Sequence, residues 1–147
     1  MEEIYYKLVG NGEELSEASE IRRQVFVVEQ GISEDLVYDS YDNEAIHLIA
    51  KQGERIIGIA RVRFLKPGEA KLERMAILPL YRLKGIGKKM VSFLIEMLNR
   101  RRIEKLILNS QYDAAEFYNK CGFSVTGSPF MEAGIKHIRM EKRLVVE

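Results

Sequence analysis

Six consecutive residues, Arg82-Leu83-Lys84-Gly85-Ile86-Gly87, carry the clearest chemical signal in the 147-residue sequence. Two glycines are spaced one residue apart, an arginine stands three residues ahead of the first, and Lys84, Lys88 and Lys89 add cations. That set suits a phosphate-bearing anion. Glycine lacks the Cβ that holds a ligand off the backbone and tolerates left-handed dihedrals, and arginine grips phosphate oxygens in pairs. Residues able to move protons lie elsewhere, at His47, Glu73, Tyr118 and His137. His47 is of the residue type whose pKa near neutrality suits proton transfer. Its alternative role, like that of His137, is a structural histidine. Cys121, beside Gly122, reads as a small core residue. One cysteine and two histidines in unrelated segments give no metal-ligand spacing, so no metal site is expected.

The elements around the glycines decide what they can bind. Residues 70–78 read as a strand, and Ile86, Met90, Phe93, Leu94, Met97 and Leu98 mark a long amphipathic helix. Its end meets Arg100-Arg101-Arg102, where cations complement the helix C-terminus. The glycines therefore sit at a helix start, where the first N–H groups lack intrahelical partners and can be accepted by an anion such as pyrophosphate. The alternative is a plain glycine-capped turn with surface lysines. Two familiar phosphate motifs do not fit. A Walker loop requires Ser or Thr after its lysine, and Lys88 is followed by Lys89. A dinucleotide fingerprint requires a third glycine and an acidic residue ending the next strand. Here those positions hold Met90 and Asn109-Ser110.

The remaining pattern supplies one domain over residues 1–147, a length that supports one core. Ile4–Val9 reads as a strand closed by Asn11-Gly12. Ala18, Ile21, Val25 and Val28 then share a helical face that Gly31 ends. Residues 33–44 form an acidic loop or short irregular helix. Asp39, Asp42 and Glu44 in it are either a lure for a cationic amine or a solvated run. Residues 45–50, 56–64 and 70–78 alternate with turns at Gln52-Gly53-Glu54 and Lys66-Pro67-Gly68, an antiparallel meander. Leu106-Ile107-Leu108 fits a strand buried on both faces. Ala114, Phe117, Tyr118 and Cys121 mark a helix stopped by Gly122, and residues 123–126 and 135–141 complete the chain as strands. The fold class is α/β with a largely antiparallel sheet.

Composition narrows the context. The net charge of +1 gives no broad electrostatic footprint, so any phosphate ligand needs a local site. The same balance, and the lack of aromatics among the three arginines, argue against nucleic acid as a partner. No apolar run approaches the length of a membrane span. The Met1 end lacks a signal-peptide layout, and the single cysteine fits a reducing compartment, so a cytoplasmic protein is expected.

With its elements in this order, the sequence resembles the GCN5-related N-acetyltransferase (GNAT) superfamily. The resemblance rests on Leu72-Glu73-Arg74-Met75-Ala76-Ile77, the Arg82 loop, Leu106-Ile107-Leu108-Asn109 and Ala115-Glu116-Phe117-Tyr118-Asn119-Lys120-Cys121-Gly122-Phe123. It covers most of the chain. Within the superfamily, Arg23-Gln24-Val25-Phe26-Val27-Val28-Glu29-Gln30-Gly31, Glu44-Ala45-Ile46-His47-Leu48 and Phe130-Met131-Glu132-Ala133-Gly134-Ile135-Lys136-His137 resemble a subgroup of small bacterial and archaeal proteins of poorly defined substrate.

The resemblance implies a central sheet of six to seven strands flanked by helices, with splayed strands forming an acyl-CoA cleft. It implies acetyl-CoA as acyl donor and direct attack by a primary amine of a small molecule or peptide. Backbone groups of Met75, Ala76 and Ile77 would pair with the pantetheine arm and acetyl carbonyl as if with another strand. Arg82, Leu83, Lys84, Gly85, Ile86, Gly87 and Lys88 would hold the pyrophosphate. Asn109 and Tyr118 would line the cleft near the sulfur. Tyr118 would protonate the departing thiolate, its alternative being a core aromatic. Glu73, placed by period-two spacing on one face with Met75 and Ile77, and His47 are the candidate general bases, their alternatives being a solvated or salt-bridged strand Glu and a histidine hydrogen-bonded to the acidic loop. Glu29, Gln30 and His47 would contact the acceptor. A homodimer is the default assembly. The alternative function is a non-catalytic acyl-CoA sensor on the same fold.

Overall fold

The computed structural model describes residues 3–10 and 12–145. Asn11, assigned above to the first turn, and the Met1 end lie outside the described residues. Among the described residues eight strands form one sheet in the order β1-β2-β3-β4-β5-β8-β6, with β7 also paired to β8. The meander is present as β2 (Ile46–Gln52), β3 (Arg55–Lys66) and β4 (Glu69–Ile77), and β1 (Ile4–Val9) adds antiparallel to its outer edge. Next come β5 (Lys105–Gln111), β6 (Ser124–Val125), β7 (Phe130–Glu132) and β8 (Ile135–Arg143). The strand count exceeds the expected six to seven because β7 has only three residues, too few to show alternation. It turns back through Ala133 and Gly134, at φ 53° and 75°. Two successive left-handed residues make a type I′ hairpin turn.

Helices cover both faces. On one side α3 (Ile86–Arg100) and α4 (Ala115–Lys120) close over Leu48, Leu72, Leu106, Leu108 and Met140, with Met90, Leu94 and Leu98 buried from the helix side. On the other, α1 (Glu13–Arg22) buries Leu15, Ala18 and Ile21 against Ile49, Ile59 and Ala76. Each such aliphatic side chain contributes about 1.5–3 kcal/mol when fully removed from water. The acidic segment forms a short helix, α2 (Glu34–Val37), and a 3-10 turn at Ser40–Glu44.

Two irregularities shape the middle of the molecule, and each corrects the sequence reading. The first is in the opening helix. After Arg22 it widens into a π-helical segment, Arg23–Glu29, in which the Gln30 N–H donates to the Val25 carbonyl five residues back (3.1 Å). The wider turn shifts the phase, so Val25 stays buried but Val28, assigned to the same face, is 60% exposed. Gly31, at φ 72°, ends the segment as expected.

The second is a bulge in β4. Arg61 pairs with Glu73 and Ile59 with Ala76, so β4 carries one residue more than β3 across this stretch. Arg74, at φ 52°, absorbs the extra residue. The bulge reverses the side-chain phase. Met75 and Ile77 pack on the α3 side with Leu72, whereas Glu73 pairs with Arg61 and Arg63 on the opposite side. Strict alternation from Glu73 to Met75, assumed above, does not hold.

Beside the bulge the sheet opens. The parallel pairing of β4 with β5 runs from Glu69–Lys105 to Leu72–Leu108 and stops there. Beyond that point Met75, Ala76 and Ile77 on β4 face away from any ladder partner on β5, whose Asn109, Ser110 and Gln111 pair only with β8.

Candidate functional site

The glycine loop lies at one mouth of this opening. It passes from β4 through a 3-10 turn at Pro79–Tyr81 into α3. Leu83 and Gly85 both take left-handed dihedrals, at φ 61° and 81°. Gly85 is the helix N-cap and supplies no side-chain cap, so the N–H groups of Ile86, Gly87 and Lys88 remain available at the positive end of the dipole. The two glycines serve different ends. A Cβ on Gly85 would meet open space, so that position needs glycine for its dihedral. A Cβ on Gly87 would lie 3.1–3.3 Å from Phe117, Ile77 and Met75, so that position needs glycine for close packing of α3 against the cleft wall.

The Arg82 side chain is committed within the protein. Nε donates to the Ile77 carbonyl (2.9 Å), and Nη1 and Nη2 donate to the Glu29 carboxylate (2.6 and 2.7 Å). The hydrogen bonds from Arg82 hold the Glu29 carboxyl below its ordinary value. Glu29 therefore fastens the π-helical segment to the loop. Next to it, Gln111 on β5 donates to Gln30 (2.7 Å), a second tie across the opening.

A cavity of about 860 Å³ fills the opening and reaches both faces of the sheet. That volume suits a small-molecule site. Of the residues singled out from sequence, Gln30, Glu73, Met75, Ala76, Ile77, Arg82, Leu83, Gly85, Ile86, Gly87, Lys88, Asn109 and Tyr118 line it. Glu29, His47 and Lys84 do not. Lys84 instead stands over the Tyr81 ring.

Tyr118 forms the wall at the bulge. Phe117 and Phe123 hold its ring edge-on, at centroid distances of 5.0 and 5.9 Å. Its hydroxyl lies 3.6 Å from the Met75 sulfur, a weak acceptor. Burial pushes the phenol's pKa up, so the group keeps its proton.

A dense ionic network backs the other wall. Asp39 accepts two hydrogen bonds from Arg61 (2.6 and 3.0 Å), and Asp42 accepts from Arg22 (2.7 Å) and Arg61 (3.1 Å). Glu73 accepts from Arg61 (3.0 Å) and Arg63. Arg22 and Arg61 are fully buried. Burial alone would raise all three carboxyls, but the arginines outweigh it and hold them low. Of the acids read as a lure for a cationic amine or a solvated run, Asp39 and Asp42 are engaged by arginines, Asp39 also lining the cavity, and Glu44 is exposed. His47 belongs to this network, 1% exposed, with Nδ1 3.3 Å from Arg22 and Nε2 2.9 Å from the Asp42 carbonyl. Burial first, then the charge of Arg22, lowers its pKa. Its place is structural, behind the cavity wall.

The other histidine does face the cavity. His137 pairs with Gln111 across β5 and β8, and cross-strand partners share a face, here the α1 side with Gln30. The Ile135 carbonyl can only accept, so the 2.7 Å contact assigns the proton to Nδ1 and leaves the Nε2 lone pair free. Glu132 lies 3.6 Å from Nε2. Sequence spacing placed His137 on a strand but gave no sign that the three-residue β7 would carry Glu132 to it.

A model of the acetyltransferase (GNAT) domain matches residues 12–144. The chain belongs to the GNAT acetyltransferase family. Among similar sequences, the uncharacterized protein YyaT of Bacillus subtilis is 37% identical over 134 residues, covering 89% of this chain and 90% of YyaT. The uncharacterized N-acetyltransferase YjcF of the same organism is 35% identical over 133 residues, covering 90% and 94%. Among solved structures, Escherichia coli ElaA superposes with a TM-score of 0.83 at 21% identity, covering 94% of this chain and 99% of ElaA. A GNAT family acetyltransferase from Elizabethkingia anophelis with acetyl-CoA bound superposes at 0.77 with 18% identity, covering 96% and 98%. The fold of this GNAT domain is thus the α/β arrangement expected, with the splayed strands in place. No described helix is long and apolar enough to cross a membrane.

The buried network predicts how this GNAT domain responds to acid. Protonating His47 is harder in the folded protein than in the unfolded chain, so its contribution is complete above about pH 6.5 and erodes as pH falls. The three carboxyls, also depressed, stabilise above about pH 4.5 and are lost below it. A melting series should therefore fall in two stages on acidification. His47→Gln should flatten the upper stage, below about pH 6.5, and leave the lower one. A variant with an unchanged upper stage would assign it elsewhere.

Proposed function

We propose that this GNAT domain transfers an acetyl group from acetyl-CoA to a primary amine by direct attack. The observation that carries the reading is the opening between β4 and β5, where Met75, Ala76 and Ile77 have no ladder partner on β5 and an uncapped helix start lies at its mouth. The peptide-like amides of pantetheine complete the ladder of Met75, Ala76 and Ile77. The pyrophosphate accepts from the N–H groups of Ile86, Gly87 and Lys88. The bound acetyl-CoA of the Elizabethkingia relative supports this choice of donor. Arg82, tied to Glu29 and to Ile77, acts by holding the loop against β4 rather than as a free phosphate grip.

At the bulge, the thioester comes to rest beside Tyr118. As the amine attacks, the tetrahedral carbon collapses, the C–S bond breaks, and the thiolate takes a proton from the Tyr118 hydroxyl. Burial keeps the phenol protonated and its sulfur partner is weak, so the hydroxyl is held for the leaving group as charge develops there, and solvent reprotonates Tyr118 once CoA departs. The incoming amine must lose a proton. Glu73 lines the cavity, but Arg61, Arg63 and Lys71 hold its proton affinity down. His137 presents a free Nε2, and the imidazolium formed there is stabilised by Glu132. We therefore assign the base to His137.

Two experiments test these roles. With any amine that the protein acetylates, Tyr118→Phe should lower kcat by about 10²–10⁴-fold, the range of a lost general acid, while calorimetry finds acetyl-CoA affinity within about twofold; unchanged turnover removes Tyr118 from the mechanism. With the same amine, His137→Gln should lower kcat by about 10²–10⁴-fold, the range of a lost general base, with acetyl-CoA affinity within about twofold. Unchanged turnover in that variant, with loss in Glu73→Gln, would return the role of base to Glu73.

A further inference from the structure

The wall of the cavity on the α1 side carries more positive charge than its acids can answer. Five cations, Arg22, Arg61, Arg63, Lys71 and Arg74, surround three carboxylates, Asp39, Asp42 and Glu73. His47, on the same network, is held toward its neutral form and changes nothing in this balance. Every one of the three acids is already shared between at least two cations. Of these eight groups Lys71, Arg74, Asp39 and Glu73 line the cavity, and Arg61 behind them already engages both acids.

Lys71 is the less committed of the two. Its ammonium approaches Glu73 at 3.5 Å, on a side chain only 20% exposed, and forms no hydrogen bond to any described residue. An ammonium has three donors, and a mostly buried charge without full compensation is costly. Arg74 donates from Nε to the Val37 carbonyl (3.0 Å) and from Nη2 to Leu36 and Asp39, while its Nη1 has no hydrogen-bond partner among the described residues. The opposite wall differs in sign: Glu132 lies there beside His137. The acceptor half of the cavity is therefore polarised, with cations across from a base and an acid.

From this polarisation we infer that the acceptor is an amine that also carries an anionic group, a carboxylate or a phosphate, bound by Lys71 with Arg74, while its amine faces His137. Polyamines and other acceptors with a second cation meet Lys71 and Arg74 on the β4 wall, beside acids that arginines already engage, and are disfavoured. This rests on the acyl-transfer reading for the identity of the pocket, and Lys71 is a specificity-determining residue within it.

The test separates anion recognition from turnover. Full-length protein saturated with CoA is titrated calorimetrically with product-shaped probes: the N-acetyl derivatives of glycine, β-alanine and phosphoethanolamine, and the neutral carboxamides of the first two. At least one anionic probe should bind about tenfold or more tightly than the neutral ones. The carboxylate and phosphate arms tell which anion is preferred. Lys71→Met, which keeps the aliphatic stem, should erase the preference while leaving CoA affinity within about twofold, and Lys71→Arg should restore part of it. Equal binding of neutral and anionic probes overturns the inference. So does failure of every anionic probe to bind, or a preference that survives in Lys71→Met. If CoA itself does not bind, the acyl-transfer reading fails instead, and the same titration on the unliganded protein still reports whether Lys71 selects anions.

Discussion

The rest of the structure depends on one interruption in the sheet. Parallel strands β4 and β5 hold together for four residue pairs and then part after Leu72 and Leu108. Unpaired main-chain groups inside a protein are costly unless something else satisfies them, so a gap of this kind persists only with support on both sides. The bulge at Arg74 bends β4 away, and the Arg74 guanidinium, bonded to the Leu36 and Val37 carbonyls, pins the bent strand to α2. Arg82 caps the strand's last carbonyl, at Ile77. The Gln30–Gln111 and Glu29–Arg82 ties bridge the opening from the π-helical segment. The cavity is a built feature of the fold, held open by named polar contacts.

The π-helical widening and the β4 bulge work together. Each inserts one residue into a regular element, and each re-aims the side chains that follow. The first leaves Glu29 and Gln30 at the mouth of the cavity, where a regular helix would have turned them elsewhere. The second sends Glu73 into the ionic network and Met75 toward Tyr118. The buried arginines then set the electrostatics. They engage Asp39 and Asp42, two acids that the sequence alone left open as a lure for a cationic amine or a solvated run.

Much of this was legible in the sequence because regular elements announce themselves by period. The meander, the long helix after Gly85 and the doubly buried Leu106-Ile107-Leu108 follow from alternation, three-and-four spacing and unbroken apolarity. The glycine loop was legible because its residue types have few other uses between a strand and a helix. What failed were inferences that carried a period through an insertion: Val28 on the buried helix face, and Glu73 on the face of Met75. No local residue pattern marks either extra residue. The histidines were exchanged for a related reason. His47 looked available because it alternates with apolar Ile46 and Leu48, yet its own face is covered by the network of Arg22 and Asp42. His137 gained its neighbour Glu132 from a short hairpin whose three-residue strand is too short to show alternation.

The central claim is that the gap between β4 and β5 receives the acyl donor as a surrogate strand. A crystal structure of the protein with acetyl-CoA tests it most directly. The account predicts pantetheine amides hydrogen-bonded to the backbone of Met75, Ala76 and Ile77, pyrophosphate on the N–H groups of Ile86, Gly87 and Lys88, and the thioester sulfur facing the Tyr118 hydroxyl. A donor bound outside the gap, or one whose sulfur lies away from Tyr118, would contradict it.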